Sequence, residues 1–312
     1  MSFSAFIAFP GQGSQHLAML SKGGIKEIAL STSYSHVLEC CSDLISFDAF
    51  KLIEEGPEDL IHQTSITQPL LVLCSYLHYE KLINSIDLNV KCIAGHSLGE
   101  YSALVAADSI LITDALKLVR KRGELMEIAP SGSMSAIIGL DHEIIDEICS
   151  KISSKGNIHV QCANLNSPNQ TVISGDDDAL EKAQRLCIDQ GAKRAIKLNV
   201  SIASHSKLMI NAAQDFEISL KEIDIKMPDK EILHNVSVKR ASSVQELRSL
   251  LVSQLYEPVR WVEICEQAKV LSIPIIECGP DKVLSGLFKN NKLKNYFYTS
   301  DEEFYEKIIN NG

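Results

Sequence analysis

Gly95-His96-Ser97-Leu98-Gly99 places one serine between two glycines, directly after an apolar run and ahead of a helical pattern. That spacing suits a nucleophile elbow, a tight strand-to-helix turn that exposes a serine hydroxyl. A side chain at either glycine position would collide with the adjoining strand or helix, and the helix N-terminus behind the serine favours developing negative charge. The same five residues can also be an ordinary turn, so the rest of the chain must supply a nucleophile's partners. A serine needs a base to take its proton. His96 adjoins the serine, but neighbours on an elbow point apart, which suits a pocket residue better than a base. His205, in "NVSIASHSKLM", lies just ahead of a helical pattern, in the kind of loop that presents catalytic groups. A hydrolase triad would place its acid between serine and histidine. Asp176, Asp177 and Asp178 fall inside an expected separate subdomain, which leaves the histidine's orienting group open.

The elements that must position these residues follow from periodicity and punctuation. "SAFIAF", Ser4 to Phe9, ends at Pro10-Gly11 and reads as a buried strand. A helix follows with Pro69 at its first position, then the strand "VKCIA" and a helix from about Ser97 to Ala107. Thr113 reads as the N-cap of "DALKLVRKRGELMEIA", which stops near Pro130-Ser131-Gly132. From "SMSAIIG" to "KRAIKL" the order is strand, helix, strand, strand, helix, strand, which is the ferredoxin-like split βαβ unit. It is expected at 131–199, as an insertion in a discontinuous domain of 1–130 and 200–312. Beyond it come a helix from about His205, a strand near "EILHNV", two helices and the strand "IPIIEC".

Composition bounds the partners. Thirty basic against forty acidic residues, a net charge of −10, argue against a generic nucleic-acid binder. Nine cysteines, an odd number without CxxC or metal-ligand spacing, predict reduced packing residues and neither a disulfide framework nor a metal site. No apolar run reaches membrane-spanning length, and the start lacks a basic signal-peptide region, so a cytoplasmic protein is expected. A monomer is expected, since nothing resembles a long apolar interface helix.

Over nearly its whole length the chain resembles the malonyl-CoA:acyl-carrier-protein transacylases and the related polyketide synthase acyltransferases. The matches run in order: "FPGQGSQ", "TQPLL", "GHSLGEYSAL", "RGELM", "NLNSPNQTVISG", "SHSKLM", Asn235-Val236, "QLYEPVRW" and "GPDKVLSGL". The resemblance implies an α/β-hydrolase-like core with an inserted ferredoxin-like subdomain. It implies that Ser97 is the acyl-accepting nucleophile and His205 its base, with the imidazole held by the main-chain carbonyl of Gln254 in place of a carboxylate. The oxyanion hole would be the backbone N–H groups of Leu98 and Gln12. Arg122 would hold the free carboxylate of a dicarboxylic acyl group through two parallel hydrogen bonds. Gln68, His96, Asn164 and Asn166 would line the pocket, while Arg120, Lys121 and Lys117 stay surface charges.

The implied reaction is ping-pong transfer from malonyl-CoA to the phosphopantetheine thiol of an acyl carrier protein, with no metal and no bound cofactor. Such carriers are acidic and dock transiently, which predicts a basic surface near the pocket mouth; Lys193, Arg194 and Lys207 are the candidates. Ile202-Ala203-Ser204-His205 lacks the proline common before the Ser-His pair, so malonyl against methylmalonyl stays open, as does fatty-acid against polyketide supply. An acyl hydrolase clearing carrier proteins is the alternative activity, and a non-catalytic carrier-binding protein is a third.

Overall fold

A computed structural model describes residues 2–154 and 158–311, with side chains through residue 308. In chain order the described strands are β1 (Phe3–Phe9), β2 (Leu88–Gly95), β3 (Ser133–Ile138), β4 (Val160–Ser167), β5 (Gln170–Gly175), β6 (Arg194–Lys197), β7 (Ile232–Leu233), β8 (Ile275–Glu277) and β9 (Tyr296–Tyr298). They form two sheets. A parallel one has the order β7-β2-β1-β8-β9, and a four-stranded antiparallel one has the order β4-β5-β3-β6.

The central position of β1 explains its unbroken apolar run. Ala5, Ile7 and Phe9 enter the core on one face of the parallel sheet, and Phe6 and Ala8 enter the core on the other. A strand buried on both faces has no polar side to show. Each fully buried Phe or Ile contributes roughly 1.5–3 kcal/mol of transfer free energy. The antiparallel sheet packs its helices, His142–Ser153 and Asp177–Asp189, on one face around Ile137, Ile145, Ile173 and Leu180. Its strand–helix–strand–strand–helix–strand order is the ferredoxin-like arrangement expected from the sequence, and with the parallel sheet it gives the α/β-hydrolase-like core plus subdomain.

Four local expectations differ from the structure. The elbow helix begins at Gly99 and not at Ser97, because Ser97 has φ 51°, outside the right-handed helical region. Thr113 is not an N-cap: the helix is Ile112–Ile128, and the extended Leu111 in the cap position accepts the first bonds from Asp114 and Ala115. Pro69 lies inside the helix Thr64–Ser85 and not at its start. Proline leaves the carbonyl four residues earlier without its usual donor; that carbonyl, Ser65 O, instead accepts from Arg120 Nη1 at 3.1 Å. Arg120 is thus partly buried in a structural contact, also bonded to Glu124, and is no free surface charge.

The nine cysteines are unpaired, and all but Cys40 are buried. Among the described residues no helix is long and apolar enough to cross a membrane, and no group of His, Cys, Asp or Glu has the arrangement to hold a metal ion.

Candidate active site

Strand β2 ends at Gly95, and the chain turns through His96-Ser97-Leu98 into the helix Gly99–Ala106. A Cβ on Gly95 would overlap the backbone of Gly99, and one on Gly99 would overlap the Phe9 carbonyl. Both glycines are therefore dictated by space. The turn holds Ser97 in the left-handed region, a strain tolerated where the surroundings over-determine it. Here they do: Asn235 Oδ1 accepts the Ser97 N–H at 2.7 Å, Asn235 Nδ2 donates to Gly95 O at 2.6 Å, and Gln254 Nε2 donates to Ser97 O at 3.0 Å.

His205 meets the serine from the far side of the sequence, also at positive φ (56°). Its Nε2 lies 2.8 Å from Ser97 Oγ and its Nδ1 2.6 Å from the main-chain carbonyl of Gln254. A carbonyl only accepts, so Nδ1 carries the proton and Nε2 presents a lone pair to the serine hydroxyl. Burial, followed by the nearby Arg122 charge, pushes the His205 pKa from 6.5 down to about 3, so the imidazole is neutral at physiological pH. The loop is fixed from the antiparallel sheet: Gln161 on β4 donates to His205 O (3.1 Å) and Tyr256 O (2.9 Å) and accepts from Lys207 N (3.2 Å).

Arg122 arrives on the helix Ile112–Ile128. A Cβ on its neighbour Gly123 would overlap Ser65, so glycine lets this helix touch the backbone of Thr64–Ser85. That contact brings Arg122, 1 % exposed, to Gln68 on the same neighbouring helix. Arg122 Nη1 donates to Gln68 Oε1 at 3.1 Å and Nη2 to Gln254 Oε1 at 3.2 Å, while Nε has no acceptor among the described residues. The guanidinium lies 5.7 Å from the centre of the Tyr101 ring. Its hydrogen-bond partners are neutral amides, and burial lowers its pKa below the ordinary arginine value, while Tyr101 and the buried Glu100 carboxylate behind Gln254 pull the other way. No carboxylate touches the guanidinium directly among the described residues, which leaves it able to receive one.

Gln68 Nε2 donates in turn to Gln12 Oε1 at 3.2 Å and contacts Met126 Sδ at 3.4 Å, linking the Gly11-Gln12-Gly13 loop to the arginine. Gly11 approaches the turn so closely that a Cβ would overlap His96 O and sit 3.6 Å from Leu98 N. Neither the Leu98 nor the Gln12 backbone N–H donates a hydrogen bond among the described residues, so both are available to an incoming oxyanion.

His96 and Asn166 form a separate pair, Nε2 to Oδ1 at 2.8 Å, with His96 edge-on to Trp261. Asn164 stays apart from this network. It is buried at the β4 bridge to Val259, and its side chain makes no hydrogen bond to the other site residues described.

Residue reasoning assigned no role to Asn235, Glu100 or Gln161. For Glu100 a signal existed: a lone carboxylate in the otherwise apolar or small-residue helix "GEYSALVA".

A neutral serine–histidine pair with two free backbone donors near its turn can form and break an acyl-serine, and a buried arginine lies behind the same Gln254 that holds the histidine. The acyl transferase domain family model matches residues 5–284, and the chain belongs to that family. It is 42 % identical over 291 residues to the malonyl CoA-acyl carrier protein transacylase of Haemophilus influenzae, covering 91 % of this chain and 90 % of that protein. The Bacillus subtilis protein of the same name is 40 % identical over 315 residues, covering 99 % and 97 %. Among solved structures, the malonyl CoA-acyl carrier protein transacylase of Coxiella burnetii aligns with TM-score 0.92 at 36 % identity, over 99 % of this chain and 98 % of that one. A malonyl-transacylase solved in complex with its type II polyketide synthase acyl-carrier protein aligns with TM-score 0.90 at 36 % identity, over the full length of both chains.

Proposed function

We propose that this chain moves a malonyl group from malonyl-CoA to the phosphopantetheine thiol of an acyl carrier protein through an acyl-Ser97 intermediate. The observation that carries the reading is the buried Arg122 guanidinium, bonded only to the Gln68 and Gln254 amides, beside the Ser97–His205 pair. An acyl group with a free carboxylate supplies the direct anionic partner that this cation does not have among the described residues. A hydrolase clearing simple acyl chains has no use for it.

In this mechanism His205 Nε2 takes the Ser97 proton as Oγ attacks the thioester carbonyl. The Leu98 and Gln12 N–H groups hold the tetrahedral oxyanion, each worth roughly 2.7–4 kcal/mol on the scale of comparable donors. Collapse expels the CoA thiolate, which takes the proton from His205. The carrier's thiol then gives its proton to His205 and attacks the acyl-serine, and the second collapse returns the proton to Ser97. The Gln254 carbonyl steadies the imidazolium at Nδ1 in both halves. The two amides that grip Arg122 fix the acyl carboxylate and hence the carbonyl's angle to the serine. The reaction asks for no metal or resident cofactor; the CoA thioester and the carrier's phosphopantetheine bring the reactive sulfur.

Lys193, Arg194 and Lys207 are exposed, the first two at the β6 edge and the third two residues after His205. Lys207 supports a transient docking contact for an acidic carrier beside the site, whereas Lys193 and Arg194 lie at the sheet edge opposite β4, the strand that holds the His205 loop; the form we propose is a cytoplasmic monomer.

Intact-protein mass spectrometry after brief exposure to malonyl-CoA tests the reading. A malonyl-sized adduct is expected on the wild-type chain, absent from Ser97→Ala, and lost to a phosphopantetheinylated carrier faster than to water. Loss to water at the same rate with and without carrier would establish the hydrolase instead.

A further inference from the structure

Beneath the elbow lies a carboxylate that the acyl-transfer steps do not use. Glu100, 1 % exposed, opens the helix behind Ser97. Three donors converge on it: His234 Nδ1 on Oε1 at 2.6 Å, and on Oε2 both Gln254 Nε2 at 2.6 Å and the Asn235 backbone N–H at 3.3 Å. His234, Asn235 and Gln254 are fully buried.

Each bond constrains a group that matters elsewhere. The Gln254 amide could be seated either way round, because its nitrogen and oxygen are alike in shape. A carboxylate can only accept, and so can the Ser97 carbonyl that Nε2 also meets at 3.0 Å; Glu100, the shorter of the two contacts at 2.6 Å, and Ser97 O together turn Nε2 towards themselves and Oε1 towards Arg122 Nη2. With the amide reversed, an NH₂ group would face the guanidinium, donor against donor, and the carboxylate would face an oxygen. Asn235, whose side chain ties down both Gly95 O and the Ser97 N–H, is held through its own N–H. One carboxylate thus braces the turn that carries the nucleophile and, with the Ser97 carbonyl, sets the polarity of the amide that seats the arginine.

We infer that Glu100 is a positioning residue that couples the Ser97 elbow to the Arg122 carboxylate site, its shorter contact to Gln254 Nε2 reinforcing the orientation that the Ser97 carbonyl also favours. The inference rests on the acyl-Ser97 reading above. It is the reach of the acceptor oxygen, and not merely the presence of a buried charge, that does the orienting. Two substitutions separate these. Glu100→Gln keeps the length, so its Oε1 still accepts from Gln254 while its NH₂ faces Nδ1 of a His234 that carries its proton on Nε2. Glu100→Asp keeps the charge but withdraws it by one methylene from Gln254.

The test measures Ser97 acylation rates with malonyl-CoA and with acetyl-CoA on the full-length wild type, E100D and E100Q, with thermal melts alongside. Acetyl has no carboxylate, so its rate reads the elbow, and the malonyl-to-acetyl ratio reads the seating of Arg122. E100D is expected to lower that ratio by about tenfold or more, the scale of one hydrogen bond to a charged partner. E100Q is expected to stay within about threefold of the wild-type ratio, even if it melts lower. A bracing role that acts only on folding would shift the melts and leave the ratio alone. A wild-type ratio in E100D, or a larger loss in E100Q than in E100D, would overturn the inference. A wild-type chain that never takes malonyl would overturn the underlying reading, and this inference with it.

Discussion

The two halves of the site are held by different means. Around Ser97 and His205 the constraints are mostly on backbone: glycines where a Cβ cannot fit, two residues at positive φ, and a main-chain carbonyl on Nδ1. Around Arg122 they are side chain on side chain, with guanidinium, Gln68, Gln12 and Gln254 bonded in a row. A backbone-built half tolerates little change and performs a step common to any acyl group. A side-chain-built half can be altered one residue at a time, and on the proposed reading it is the half that selects the acyl group. Gln254 belongs to both, through its carbonyl on one side and its amide on the other.

The largest effect is expected where the backbone half loses its base. His205→Ala should lower the acylation rate by about 10²- to 10⁴-fold for malonyl and acetyl alike, the usual worth of a positioned general base. Stopped-flow release of CoA would measure it, and a loss confined to malonyl would blur the division between the halves. The acid limb of the pH profile sharpens the same point. A base works only when neutral, and His205 is pushed down to about 3 by burial and then by Arg122. Acylation kcat/KM should therefore hold nearly level as pH falls through 6.5, dropping only well below it. Stability should erode over the same interval, because the unfolded chain takes up a proton near 6.5 that the folded histidine refuses. An acid limb centred near 6.5 would contradict the buried neutral imidazole.

A smaller change on the same half is Gly99→Ala. Its Cβ would overlap the Phe9 carbonyl, so the elbow or β1 must shift, at a cost of about 1–3 kcal/mol in unfolding free energy. Urea denaturation measures this, and an unchanged midpoint would mean that the turn has slack. The smallest effect is expected at the edge of the pocket. Asn166→Ala removes one neutral hydrogen bond to His96 and should slow acylation only several-fold, about 1 kcal/mol, with the acyl preference intact.

The same contrast explains what could be read in the sequence. A backbone constraint leaves a residue-type signature, so Gly95 and Gly99 disclosed the elbow, and the alternation of elements disclosed the antiparallel subdomain. Gln254 acts on His205 through its carbonyl, which every residue possesses, so its own chemistry pointed nowhere; only its place in "QLYEPVRW", a matter of resemblance, marked it. Glu100 showed itself only as a lone carboxylate in an apolar helix, and Asn235 only as part of a matching motif. The roles of both stayed hidden, because their partners lie more than a hundred residues away and local pattern carries no trace of such pairs. Pro69 misled because the usual rule assumes that no side chain replaces the missing donor, and Arg120 does the replacing. Strand β9, three residues long, offers no alternation to see.

Whether the two halves are separable is decided by competition between malonyl-CoA and acetyl-CoA on Arg122→Ala, read as the mass of the Ser97 adduct. Removing one partner of a buried charged contact costs on the order of 2–5 kcal/mol, so the variant should lose malonyl acylation by about 30-fold or more. Its acetyl acylation should stay near the wild-type rate. Equal loss of both acyl groups would show that Arg122 serves the reaction itself, and an unchanged malonyl preference would show that it does not select the acyl group at all.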